Sequence, residues 1–111
     1  MPRLFGYVAV PAETGPDEAD DAIHRWRLQI AAFAQHEGFT LTAVFADVRG
    51  RAEAFYAMVE RIGRDGAVAV VVPDLGHLGH LPCLSGADVR SASRYLRARL
   101  LTIVAHPSPS S

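Results

Sequence analysis

Short apolar blocks alternate with longer amphipathic stretches along this chain. Leu4 to Pro11, LFGYVAVP, is apolar, carries β-branched Val8 and Val10, and closes on a proline; it predicts a buried strand. The polar run AETGPDEADD follows, with acidic residues where a helix N-terminus favours negative charge. Ile23, Trp26, Ile30 and Phe33 then recur at helical spacing, predicting a helix over about 19–37 with Gly38 as its C-terminal cap. A second strand is expected over Thr40 to Ala46, ending at Asp47. A second helix is expected from about Ala52 to Arg64, facing inward with Phe55, Met58, Val59 and Ile62. The most apolar stretch, Val68 to Val72, predicts a central strand of a parallel sheet, covered on both faces. DLGHLGHLPCLSG reads as an irregular loop rich in Gly and His. Ala87 to Arg97 predicts a third helix with Val89, Ala92 and Leu96 inward, and Leu100 to Ala105 a last strand.

The order βαβαβαβ predicts a single three-layer α/β domain with a mainly parallel four-stranded sheet. Such sheets bind ligands beyond the carboxyl ends of their strands. The loops after Pro11, Asp47 and Pro73 are therefore where chemistry is expected.

At 111 residues and 12.0 kDa the chain has room for one core, assigned to 1–105, with a disordered Pro/Ser-rich tail over 106–111. A net charge of -1 argues against a strong nucleic-acid field from the whole chain. All eleven basic residues are Arg, which is what codons rich in G and C produce. One cysteine, Cys83, excludes an internal disulfide. The sequence holds no run long enough for a membrane span and no secretory signal pattern, so a cytoplasmic protein without membrane partners is expected.

The three loops and their strands carry an ordered set of likenesses. Phe5-Gly6-Tyr7-Val8-Ala9-Val10-Pro11, Arg27-Leu28-Gln29, the strand into Asp47, Arg51 ahead of a helix, and Val70-Val71-Val72-Pro73-Asp74-Leu75-Gly76-His77-Leu78-Gly79-His80 together resemble the catalytic domain of the serine recombinase (resolvase/invertase) family. The likeness covers about residues 3–105. It implies a resolvase-like fold in which a serine attacks a DNA phosphate and arginines stabilise the developing charge. This chain has Pro11 at the serine position and Ala9 at a preceding arginine position. Gly76, His77 and His80 stand where the family places an acid and two arginines. The family's long dimer helix and helix-turn-helix are not expected after residue 105. The resemblance is closest to short, catalytically degenerate members from high-GC actinobacteria. It implies a pseudoenzyme whose remnant pocket comprises Tyr7, Ala9, Pro11, Asp47, Arg51, His77 and His80, with no cofactor. A homodimer is the inherited expectation, a regulatory protein partner the next, and specific DNA binding is not expected.

Other constellations keep alternatives open. His77-x-x-His80-x-x-Cys83 offers zinc ligands at turn spacing, although Pro82 interrupts a helix and a fourth ligand is not evident. The same two histidines could serve a small enzyme or an anion site. Cys83 could be a reactive thiol or an inert one. Gly76 and Gly79 could cradle a phosphate or permit tight turns. Asp17, Glu18, Asp20 and Asp21 suit either a helix start or a basic partner. Arg90, Arg94 and Arg97 fall on one helical face and could meet nucleic-acid phosphates or a partner, or form a solvated face. Trp26 fits the core stripe of its helix; Tyr56 lies one step off its own.

Overall fold

The structure, a computed structural model, describes residues 2–65 and 69–103. Strand β1 spans Arg3–Val10, helix α1 Pro16–Glu37, β2 Thr40–Val48, α2 Glu53–Asp65 and β3 Ala69–Val72. A short helix α3, Gly76–Gly79, and a 3-10 turn, Pro82–Leu84, precede α4, Val89–Leu96, and β4, Arg99–Thr102. The four strands form one all-parallel sheet in the order β2-β1-β3-β4. The α/β class and the parallel sheet match the expectation from the sequence. The predicted irregular loop instead contains α3 and the 3-10 turn. Val68, Val104, Ala105 and the tail 106–111 lie outside the described residues.

Alternation within the strands sorts the core into two layers. Phe5, Tyr7, Val70, Val72 and Leu100 face α2 and α4, meeting Phe55, Met58, Ile62, Ala92 and Leu96. Leu4, Val8 and Val71 face α1, meeting Ile30 and Ala34. The internal strands β1 and β3 are buried almost throughout, as continuous apolar runs require. Trp26 is half-buried in the α1 layer. Gly38 caps α1 in the left-handed conformation, and its N–H donates to Ala34 O.

Two local features set fine geometry. At Gly6 an added Cβ would stand 3.0 Å from Ile30 Cδ1 and 3.1 Å from Ile30 Cγ2, so a hydrogen there lets α1 settle onto β1. At the end of α4, Arg97 takes the left-handed cap position with φ 55° and ψ 35°, so this arginine ends the helix and leaves its face. Glycine usually holds that position, and a side chain there costs about 1 kcal/mol.

Gly6→Ala should destabilise the fold by about 1–3 kcal/mol through overpacking. Adding Ile30→Val, which removes the closest methyl, should leave the double variant more stable than the two separate losses predict. Urea unfolding of the four proteins measures this; strict additivity would refute the steric account.

Candidate functional site

In the sheet order β2-β1-β3-β4, the chain moves from β1 to β2 and then returns past β1 to β3. The reversal creates a switch point between β1 and β3, and a crevice there is the usual ligand position in open parallel sheets. The β1–β3 pairs run only from Leu4↔Ala69 to Gly6↔Val71, whereas β1 continues to Val10 beside β2. Backbone groups late in β1 therefore lack a β3 partner.

The chain fills this gap itself. α3 carries His77 into it, and the Ala9 N–H donates to His77 Nδ1 at 2.9 Å. An amide can only donate, so Nδ1 holds the lone pair and the proton resides on Nε2. The Trp26 ring meets the His77 ring edge-on with centroids 5.3 Å apart, fixing it from the α1 side. Gly76 sits in the tight turn that leads into α3. Its N–H donates to Asp74 Oδ1 at 2.8 Å, and a Cβ on Gly76 would meet that same oxygen at 2.8 Å. This is the tight-turn role for Gly76.

On the other layer, Asp47 at the end of β2 receives three hydrogen bonds. Ala54 N–H donates to Oδ1 at 2.9 Å, Phe55 N–H to Oδ2 at 2.9 Å, and the Tyr7 hydroxyl to Oδ2 at 2.8 Å. The first two are free amides of the α2 N-terminus, which favour a negative partner. Tyr7 is fully buried. Its only proton goes to the carboxylate, so His80 Nε2, 3.0 Å away, donates to the Tyr7 oxygen. His80 Nδ1 then accepts from Gly50 N–H at 3.3 Å. Every contact agrees with one tautomer, and the Tyr7 and His80 rings lie parallel, 6.3 Å apart.

These environments hold Tyr7 and both histidines neutral. Burial pushes the Tyr7 phenol far above its ordinary value, and the Asp47 carboxylate adds to the rise. Burial pushes His77 below 6.5, with Arg49 and His80 assisting and Asp74 opposing. Burial lowers His80 too, assisted by Arg49 and opposed by Asp47.

The structure thus gathers Tyr7, Ala9, Asp47, His77 and His80, as the sequence led us to expect. It leaves Pro11 and Arg51 exposed, with no side-chain hydrogen bond to this group. Gln29 is exposed on α1. The cation at the site is instead Arg49, whose Nη2 lies 3.9 Å from where a Cβ on Gly76 would stand. Gly50, at φ 93°, turns the chain between the two arginines. The sequence contained one available signal for Arg49, its place two residues after Asp47 at the strand's carboxyl end.

The structure does not bring the His77, His80 and Cys83 triplet together as a ligand set. A neutral imidazole has one lone pair; that of His77 faces Ala9 and that of His80 faces Gly50. Cys83 is exposed on the 3-10 turn. Among the described residues no group of three or more His, Cys, Asp or Glu could hold a metal ion. Of the arginines at helical spacing, Arg90 and Arg94 lie on α4 and Arg97 at its left-handed cap. Arg94 and Arg97 line a groove with Arg99 at the opposite end of the sheet, while Arg90 is outside its lining and acts on Asp88. Tyr56 is 55 % exposed and belongs to the surface.

No protein-family model, no curated protein and no solved structure matches the chain. Among the described residues no helix is long and apolar enough to cross a membrane. What the fold and site define is a parallel α/β domain whose switch-point crevice is occupied by its own histidine.

Both imidazoles hold their bonds only while neutral, which fixes the pH dependence. Their folded pKa values lie below the unfolded value, so the unfolded chain takes up protons first as pH falls. The stability they supply is complete above about 6.5 and is lost below it. The thermal midpoint should drop between about pH 7 and pH 5. His77→Asn, whose Oδ1 can accept from Ala9 without titrating, should flatten the drop; an unaltered profile would remove His77 as its source. Asp47→Ala orphans three donors and should cost about 3 kcal/mol or more in urea unfolding, against about 2 kcal/mol for Tyr7→Phe.

Proposed function

We propose that this chain is a resolvase-like domain without catalytic chemistry, acting in the cytoplasm as a protein-interaction or regulatory module through self-association. The observation that carries the proposal is the closed network at the carboxyl end of the sheet. The lone pairs of His77 and His80 and the Tyr7 proton have partners within the chain, and His77 stands in the crevice. A buried phenol held neutral is a poor nucleophile. Pro11 offers neither a hydroxyl nor a backbone donor.

A binding role needs an exposed surface, and α2 and α4 present one. Tyr56 is 55 % exposed and Tyr95 44 %, flanking the buried Phe55 ring at centroid distances of 5.6 Å and 6.2 Å. The exposed Cys83 thiol beside Tyr95 pushes its phenol up. Paired tyrosines supply rigid contact area with polar tips, a composition enriched in interfaces.

The purified chain should neither cleave nor covalently join supercoiled DNA, and Pro11→Ser should not restore the reaction. A protein–DNA adduct on a denaturing gel would refute the inactive reading. Sedimentation velocity should show a dimer, with the double variant Tyr56→Ser, Tyr95→Ser weakening it by about tenfold or more. A monomer at every concentration would refute self-association.

A further inference from the structure

A groove opens at the amino ends of the strands, remote from the network above. Pro2 lies just before β1, Phe39 just before β2, Ala69 opens β3 and Arg99 opens β4, and all four line it. Its volume, about 660 Å³, falls within the range of small-molecule sites.

We infer that this groove, walled by Arg94, Arg97 and Arg99 over a floor of Phe39, Ala69 and Ala98, binds a small anion with an apolar body, in the class of aromatic carboxylates, phosphates or sulfonates. The inference does not rest on the reading of the chain as inactive or self-associating.

Three observations converge on it. The first is charge: among the described residues three guanidiniums line one concavity and no carboxylate does, although the chain has more acidic than basic residues. Among the described residues none of the three is ion-paired, whereas Arg3 and Arg61 both reach Asp65. Surfaces ordinarily intersperse the two signs, and uncompensated cations around an apolar floor complement an amphipathic anion. The second is backbone strain. Arg97 keeps the left-handed cap position that a glycine would hold without penalty. A strained non-glycine residue lining a cavity points to a use for its side chain. The third is the groove's hydrogen-bonding wall. Ser93 Oγ accepts from Leu100 N–H at 3.0 Å, which fixes the oxygen and leaves its own proton to donate.

The geometry favours a compact anion over a nucleic-acid backbone. Helix α4 does not present Arg90, Arg94 and Arg97 as one stripe; the last has left the helix and the first lies outside the groove.

Anilinonaphthalene sulfonate is a suitable probe, with phenylnaphthylamine as its uncharged counterpart. The sulfonate should bind the full chain saturably with a fluorescence rise. Amide NMR shifts should concentrate at Phe39, Ala69, Ser93 and Ala98. The double variant Arg94→Gln, Arg99→Gln should weaken the sulfonate at least about tenfold while leaving the uncharged probe unchanged. Arg97→Gly should raise the thermal midpoint and weaken the sulfonate, opposite signs that a purely structural residue would not give. Equal binding of both probes, or sulfonate affinity indifferent to the arginines, would overturn the inference. Displacement of the sulfonate by a short DNA duplex at lower concentration than by benzoate or phenyl phosphate would also overturn it, in favour of a nucleic-acid surface.

Discussion

The Asp47 carboxylate is the junction through which the carboxyl end of this sheet is built. It lies near the carboxyl end of the edge strand, accepts from the amides at the start of α2, and holds the buried Tyr7 hydroxyl from the central strand. Through Tyr7 it fixes the tautomer of His80, which reaches back to Gly50 in the loop leaving β2. One side chain thereby couples two strands, a helix start and two loops. Low-dielectric surroundings make such a network strong when complete and costly when broken. Among the described residues, no buried side-chain nitrogen or oxygen lacks a partner.

The same completeness argues about function. A parallel sheet is expected to leave a crevice at its switch point, lined by donors and acceptors free to meet a ligand. Here that place receives His77, and its lone pair terminates the unpaired part of β1. The histidine does for Ala9 what another residue of β3 would do. Groups committed in this way position one another. The exposed tyrosines lie on the outer side of α2 and α4, and the arginine-lined groove at the amino ends of the strands.

Much of the fold was legible because its strands and helices obey different periods. In β3, Val70, Val71 and Val72 form an unbroken apolar run, and that strand is flanked on both edges and covered on both faces. Ile23, Trp26, Ile30 and Phe33 marked the inward face of α1, and Gly38 marked its end. The segment after Pro73 was less legible. Its helical turns are too short for a period to emerge, and they follow a turn in which Gly76 N–H donates to Asp74 Oδ1.

The site was legible as a set of residues and illegible as chemistry. Tyr7, Asp47, His77 and His80 could be grouped because parallel topology brings carboxyl ends together. Their roles depended on which nitrogen faces which amide, and no spacing rule encodes that. A metal reading of His77-x-x-His80 stayed open in the sequence as a lesser alternative, and in the structure the Ala9 and Gly50 amides take the two lone pairs. Arg49 and Arg51 were distinguishable only by the Gly50 turn between them. Arg97 shows the converse: its helical spacing from Arg90 and Arg94 was real in the sequence, yet the helix stops one residue earlier. The left-handed cap ends the helix at Arg97, which lines the groove beside Arg94 and Arg99. The groove draws its charge from the helix, its cap and the start of β4 together, and none of its lining residues belongs to the network at the other end of the sheet.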